Sequence, residues 1–376
     1  MTGIYLHIPF CRKACRYCDF CFIVSLKYLD IYLAALSKEI KLRQSEVKEP
    51  VSSIYFGGGT PSVMGVQQIN KLLDLLFRTF TVLPDAELTL EGNPDDLNKL
   101  YIKDLSRTDI NRLSIGVQSF RAHDLQMMNR SHNENQASQA IENAAQSGIE
   151  NISIDLIYGL PGLTLNAWKA NVKTAFSLPV KHLSAYHLTY EKDTIFYKWL
   201  TDGRIMEIEE EDSVRQYEFL HQYAIGKGFA HYEVSNFSLP GYRSQHNSLY
   251  WSGNAYTGFG ASAHSYDETG RQWNLDTVKH YIQAVELEKI WYKREELSEK
   301  DKYHDYLVTK LRTQEGIRFE EVARLFGRER VNFLKQNVRP FLDSDINEVT
   351  LTEEGITVTT QGWLRLDTVT RALMED

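Results

Sequence analysis

The chain has 376 residues, 43% of them hydrophobic and 24% charged, a balance that supplies apolar material for one large domain and a smaller one. A formal net charge of −8 and a pI near 5.8 exclude a nucleic-acid binder that works by general charge neutralisation, which needs a basic face. No signal-peptide pattern precedes the first cysteine and no apolar run approaches the length of a membrane span, so a soluble, cytoplasmic protein is expected.

Six β-rich runs follow one another, each leading into a helical pattern: IYLHIP (4–9), SIYFGGG (53–59), AELTLEG (86–92), RLSIGVQS (112–119), NISIDLIYG (151–159) and HLSAYHLTY (182–190). Amphipathic stretches lie between them at Tyr28–Arg43, Val66–Phe80, Leu97–Arg107, Glu134–Ser147 and Ala167–Ser177. Alternation at roughly 30-residue intervals predicts βα units and a parallel sheet. A closed barrel needs two more units, and after Tyr190 the rhythm gives way to an acidic helix around Glu207–Lys227. The expected fold is therefore α/β, an open, TIM-like partial (β/α)6 barrel over residues 1–228. Residues 229–295 read as an aromatic- and glycine-rich connecting region that caps the open side. From 296 to 376 the helical stretches KDKYHDYLVTKLRT, FEEVARLFG and ERVNFLKQNVRPFLDS, the alternating VTLTEEGITVTTQG and a last helix through LDTVTRALM predict a smaller winged-helix-like α+β domain. Such units often bind DNA, but the acidic balance makes a protein or substrate contact at least as fitting.

All four cysteines lie between Cys11 and Cys21, in CRKACRYCDFC. A disulfide framework spreads its cysteines along a small secreted chain, and this is neither. Structural zinc usually joins two separated ligand pairs, whereas one compact loop can wrap an iron–sulfur cluster whose metal atoms face different directions. The iron–sulfur reading is preferred to zinc.

Other polar residues sit near the C-terminal ends of the predicted strands, where parallel α/β folds place chemistry. Gly57-Gly58-Gly59-Thr60 follows the second strand; alone it reads as a tight turn. Glu91 and Asp155 stand in apolar strand runs and need partners, for which a nearby arginine would do. Gln118 and Arg130 raise the same question. HNSLYW, His246 to Trp251, sets a histidine beside two large rings; on the residues alone it reads as packing with His246 bonded to a carbonyl, although histidine is also a haem ligand.

With these residues in view, the spacing of Cys11, Cys15 and Cys18 resembles the CX3CX2C signature of the radical S-adenosylmethionine (SAM) superfamily, in which three thiolates hold a [4Fe-4S] cluster and leave one iron open for SAM. HIPFCRKACRYCDF, FGGGTPS, GVQSF followed by NR, IDLIYGLPG and HNSLYW occur in the order seen in the oxygen-independent coproporphyrinogen III dehydrogenases and, within them, the heme chaperone (HemW) subgroup. The resemblance covers nearly the whole chain. It implies that Tyr5 contacts SAM near the cluster, that Gly57, Gly58, Gly59 and Thr60 receive its amino group, and that Glu91 fixes its amino-acid part. It further implies SAM contacts from Gln118 and Arg130, ribose contact from Asp155, and adenine contact from Ile157 and Thr189, although Thr189 is larger than the family residue. Reductive cleavage of SAM to methionine and a 5′-deoxyadenosyl radical is the chemistry that goes with these parts.

Two functional classes compete within this resemblance. A dehydrogenase would carry CX3CX2CXC, but position 20 is Phe20 and the fourth cysteine is Cys21, as in the chaperones. The tens of residues that precede the cluster motif in dehydrogenases are reduced here to ten. HNSLYW matches the chaperones' HNXXYW motif, implying haem contact by His246, Asn247, Tyr250 and Trp251. The resemblance thus favours a haem chaperone that passes haem to an acceptor apoprotein, with an electron donor for the cluster, no nucleic acid and room for a peripheral membrane contact. A dehydrogenase, or a radical SAM enzyme on another substrate, is the alternative.

Overall fold

The computed structural model describes residues 1–342 and 347–375. Strands β1 (Thr2–Ile8), β2 (Val51–Gly58), β3 (Val82–Gly92), β4 (Arg112–Gln118), β5 (Asn151–Tyr158) and β6 (His182–His187) pair in chain order, all parallel. Helices cover their outer face. Val66–Thr79, for example, buries Ile69, Leu72, Leu73 and Leu76, the 3–4 spacing of one helical face. Side-chain caps fix where helices begin: Asn98 accepts from the Leu100 and Tyr101 amides, so the third helix starts at Lys99 rather than Leu97. The result is the expected partial barrel, with Ile4, Leu6, Ile54, Phe56 and Leu113 buried outward under the helices and the alternate residues facing inward.

Residues 229–295 do more than connect. β7 (Ala230–Glu233) and β8 (Asn236–Ser238) form a hairpin whose second strand runs antiparallel on β6. β9 (Tyr256–Phe259) pairs parallel with β1, and β10 (His264–Tyr266), β11 (Gly270–Asn274) and β12 (Tyr292–Glu296) continue beyond it antiparallel. The sheet thus has twelve strands in the order β12-β11-β10-β9-β1-β2-β3-β4-β5-β6-β8-β7, seven of them parallel. Both edges of the six-stranded core carry backbone groups that these strands satisfy. HNSLYW is helical, within Gln245–Ser252.

One buried carboxylate ties the added strands to the first helix. Glu39, fully buried, accepts from Arg43 Nη1 (2.7 Å), the Gly260 amide (2.8 Å), Asn274 Nδ2 (2.7 Å), Tyr281 OH (2.5 Å) and Trp291 Nε1 (3.2 Å). Every lone pair is used, which is what makes the buried charge tolerable.

The C-terminal residues have their own core, centred on Tyr303, Leu307, Leu311, Val322, Leu334, Ile356 and Val369. Helices Glu299–Leu311, Phe319–Phe326, Arg328–Asn337 and Leu366–Leu373 surround a small sheet. The expected hairpin of β14 (Val349–Leu351) and β15 (Gly355–Val358) gains a third strand, β13 (Ile317–Arg318), too short to leave a pattern. Asp343 and Ser344, at the end of the predicted ERVNFLKQNVRPFLDS stretch, lie outside the described residues. Arg312 joins this core to the barrel: it bonds Glu233 at 2.9 Å and stacks 3.9 Å from the Trp251 ring. Among the described residues no helix is long and apolar enough to cross a membrane.

Glu39→Ala removes the acceptor that Arg43 shares with four other donors, of which Arg43 keeps Glu46 and the Gly258 carbonyl and Asn274 keeps the Gly260 carbonyl, and is expected to lower the unfolding free energy by about 3–5 kcal/mol, read from chemical denaturation; a loss under 1 kcal/mol would mean that the strands beyond β1 are held by other contacts.

Candidate functional site

The cysteine loop leaves β1 and docks on the segment after β4. Arg16 donates its amide to the Met128 carbonyl (3.1 Å), Asn129 donates Nδ2 to the Ala14 carbonyl (2.7 Å), and Arg16 Nη1 reaches the Met127 carbonyl (3.0 Å). So held, Cys11, Cys15 and Cys18 line one cavity of about 470 Å³. Cys21 faces a second, larger cavity of about 1280 Å³, where its thiol donates to the Asp276 carbonyl. The four cysteines divide three and one. Burial pushes the Cys18 thiol up to about 12 and raises Cys11 as well. Among the described residues no three His, Cys, Asp or Glu groups are arranged for a single metal ion.

The glycines after β2 are demanded first by their protein neighbours. A Cβ on Gly57 would lie 2.8 Å from the Tyr5 ring, and one on Gly58, at φ +113°, 2.8 Å from the His7 ring. At Gly59 it would meet the Phe10 backbone at 2.9 Å and Cys11 Sγ at 3.0 Å. Gly59 thus brings the strand end against the cysteine loop, with Thr60 Oγ1 3.4 Å from Cys11 Sγ. Gly58, Gly59 and Thr60 line the smaller cavity, but Gly57 does not.

Glu91, Gln118, Arg130, Asp155, Ile157 and Thr189 all line that cavity too. Gln118 holds φ at 67° where β4 departs from its register with β5, a strained conformation for a non-glycine residue that aims its amide inward. Arg130 bonds Asn93 Oδ1 and the Gly116 carbonyl, both at 2.6 Å, and sets Nη1 3.3 Å from Cys15 Sγ. Its Nε is buried with no hydrogen-bond partner among the described residues. Burial raises Asp155 from 3.8 to about 6, against the opposing hydroxyls of Ser184 and Ser114 and the charge of Arg112. Burial likewise raises Glu91 from 4.5 to about 7, opposed by the Tyr55 hydroxyl that donates to it at 2.7 Å. Three thiols, two carboxylates and an unfilled guanidinium donor around one space fit an iron–sulfur cluster with a polar ligand beside it.

Tyr5 stands elsewhere than expected. It is on the wall of the larger cavity, stacked on Tyr55 and His246, with its hydroxyl 3.2 Å from His7 Nδ1. The two cavities meet at Phe20, Gly58 and Glu91, which line both.

His246 departs furthest from its expected haem contact. It is 1% exposed, with Nδ1 2.8 Å from Ser53 Oγ and Nε2 2.8 Å from the Tyr250 hydroxyl. The ring lies against Tyr55, centroids 5.0 Å apart, and burial with the nearby Arg112 lowers it to about 3. As folded both ring nitrogens are engaged, and neither it nor Asn247 lines either of these two cavities. Tyr250 and Trp251 do line the larger one. The short helix has turned its histidine inward because Glu87 accepts from the Gln245 amide (3.0 Å) and the His246 amide (3.1 Å), fixing the first turn inside the barrel.

Sequence reasoning passed over Glu87, Arg112, Asn93, Tyr17 and Tyr55. For Glu87 a signal existed: in AELTLEG the polar residues 87, 89 and 91 alternate, which marks an inward polar face rather than one exceptional carboxylate.

Residues 5–175 match the Radical SAM superfamily and residues 297–365 match the HemN C-terminal domain. The heme chaperone HemW of Bacillus subtilis is 36% identical over 332 residues, 87% of this chain and 88% of that protein. The chain belongs to the HemW family of radical SAM proteins. HemW of Lactococcus lactis is 35% identical over 94% of both chains, and HemW of Escherichia coli 30% identical over 93% of this chain and 92% of its own. A HemW-family chain also shares the fold of the coproporphyrinogen III oxidase HemN from Escherichia coli, which superposes with a TM-score of 0.84 over 99% of this chain and 89% of that one, at 24% identity.

Because Glu91 and Asp155 are raised in the folded chain, their protonated forms favour folding, and this contribution, full below the ordinary carboxylate range, is lost as pH climbs to 6–7. Glu91→Gln in the ligand-free chain is expected to match the unaltered protein in stability at pH 4 and exceed it by on the order of 1–3 kcal/mol at pH 8, measured by urea denaturation at both pH values. Equal stability at pH 8 would show that Glu91 ionises without penalty.

Proposed function

We propose that this chain is a haem chaperone that holds a [4Fe-4S] cluster and SAM in the smaller cavity, binds haem, and delivers it to an acceptor apoprotein. The three-and-one division of the cysteines carries this reading, since it supplies a three-thiolate site on the SAM side and frees Cys21 for another purpose. The relatives named as heme chaperones, at 30–36% identity over most of their length, support it.

Cys11, Cys15 and Cys18 would hold the cluster, whose bound form supplies one-electron reduction of the SAM sulfonium. The chain's own residues bind and orient. Glu91 would accept the amino group of SAM, beside the backbone of Gly58 to Thr60, and Asp155 would accept its ribose hydroxyls. Arg130 and Gln118 would close the polar wall, and Ile157 and Thr189 would pack the adenine. Tyr5, on the wall of the larger cavity, would approach this ligand only from that side, past Glu91. The cavity walls exclude water from the reacting sulfur.

Haem belongs to the larger cavity on this reading, with Tyr250 and Trp251 on its wall. The remaining partners are a one-electron donor and an acceptor protein in the cytoplasm, with a peripheral membrane contact where that acceptor is membrane-bound. The acidic chain, at −8, offers nothing general to nucleic acid.

Anaerobic reconstitution tests both parts. Cys11→Ala, Cys15→Ala and Cys18→Ala should each abolish the [4Fe-4S] absorbance while Cys21→Ala retains most of it; equal loss in all four would indicate a four-thiolate site. The reconstituted protein should bind haem and yield no tricarboxylic porphyrin or protoporphyrinogen from coproporphyrinogen III. Appearance of either product would make it a dehydrogenase.

A further inference from the structure

The larger cavity, at about 1280 Å³, exceeds the roughly 300–1,000 Å³ of ordinary small-molecule pockets. It opens between strands β9–β11 and the C-terminal helices, and rings line it on several sides: Phe20, Tyr250, Trp251, Tyr256, Tyr266 and Phe326. Flat apolar walls of this kind suit a flat, largely apolar ligand.

An iron at the centre of such a ligand needs an axial donor, and most candidates on the wall are engaged. His7 has Nδ1 3.2 Å from the Tyr5 hydroxyl and Nε2 3.2 Å from the Cys21 carbonyl. The Cys21 thiol is bonded to Asp276 and raised by burial, so it is held as the neutral thiol. His264 differs. It stands on β10 with its side chain exposed to the cavity, and neither ring nitrogen has a hydrogen-bond partner among the described residues. The ring is backed by Trp273, its cross-strand partner, with centroids 6.3 Å apart and planes inclined by 22°. A free, oriented, neutral imidazole facing an aromatic cavity is a ready iron ligand.

The opposite wall carries both signs of charge, with Lys302, Lys310 and Arg324 set among Glu299, Asp305 and Glu321. Lys302 and Arg324 rise from the C-terminal helices into the same cavity. Lys302 is shared with Glu299 at 2.9 Å, whereas Arg324 forms no ion pair among the described residues. An unpaired guanidinium at the edge of an apolar pocket is the group that recognises a carboxylate.

We propose that haem enters this cavity with its iron on the His264 imidazole and its propionates toward Arg324 and Lys302, while His246 stays inside the barrel. The assignment rests on the haem-chaperone reading and names the ligand within it.

Titration of the full-length chain with hemin, followed in the Soret and visible bands, tests it. His264→Ala should weaken binding at least tenfold and remove the imidazole-ligated spectrum, and added imidazole should restore that spectrum. Arg324→Ala should weaken binding several-fold with the spectrum unchanged. His246→Gln should keep the imidazole-ligated spectrum while lowering the melting temperature. An unchanged spectrum and affinity in His264→Ala would overturn the assignment and leave the chaperone reading standing; failure of the unaltered chain to bind hemin would remove both. Should His246→Gln fail to fold, the His264 variant and its imidazole rescue decide alone.

Discussion

The barrel interior is organised by a single buried cation. Arg112, 1% exposed, points into a space walled by strands, its Nε 3.7 Å from Glu87 Oε2, and neither Nε nor Nη1 has a hydrogen-bond partner among the described residues. A guanidinium so enclosed has to be balanced by charge or filled by solvent. Its field accounts for the chemistry around it: it opposes the burial that raises Glu91 and Asp155, and it helps keep His182 and His246 neutral. The neutral histidines then serve as connectors, His182 between Ser153 and the Tyr232 hydroxyl, both at 2.7 Å, and His246 between Ser53 and Tyr250.

Glu87 links this charge to the shape of the site. One carboxylate faces Arg112 and also receives the first amides of the helix Gln245–Ser252, which therefore seats inside the barrel. From that helix His246 stacks on Tyr55, and Tyr55 donates to Glu91 at the cavity. Packing thus runs continuously from the base of the barrel to the carboxylate proposed to hold the amino group of SAM. Glu91 and Asp155 are raised by burial even with Arg112 opposing it. A ligand carrying positive charge beside them would return them to the ionised form and gain from doing so.

The parts of this architecture that the sequence announced are those with long-range regularity. Six strands, their helices and the three-thiol loop could be read because period-2 and 3–4 patterns persist over six residues or more, and because Glu91 and Asp155 interrupt apolar runs. Strands β7 to β12 could not, since three- to five-residue strands set among glycines and rings produce no period to detect. His246 shows a different limit. In an eight-residue helix with rings and polar groups on every side, local sequence does not say which face meets the barrel; that is decided by Glu87, 159 positions earlier. His264 has no local motif at all and emerges only from the space around it.

The pairing of β1 with β9 has a consequence for synthesis. β1 lies inside the sheet, flanked by β2 and by residues 256–259, so one side of β1 has no mate until some two hundred further residues have followed β2. At about 5–20 residues per second that is roughly 10–40 s. For all of that interval the cysteine loop at the end of β1 is attached to a half-paired strand. The wall around Cys11, Cys15 and Cys18 is supplied by residues up to Thr189, whereas Cys21 gains its Asp276 acceptor only after β9 has emerged, so the fourth thiol is the last to be covered.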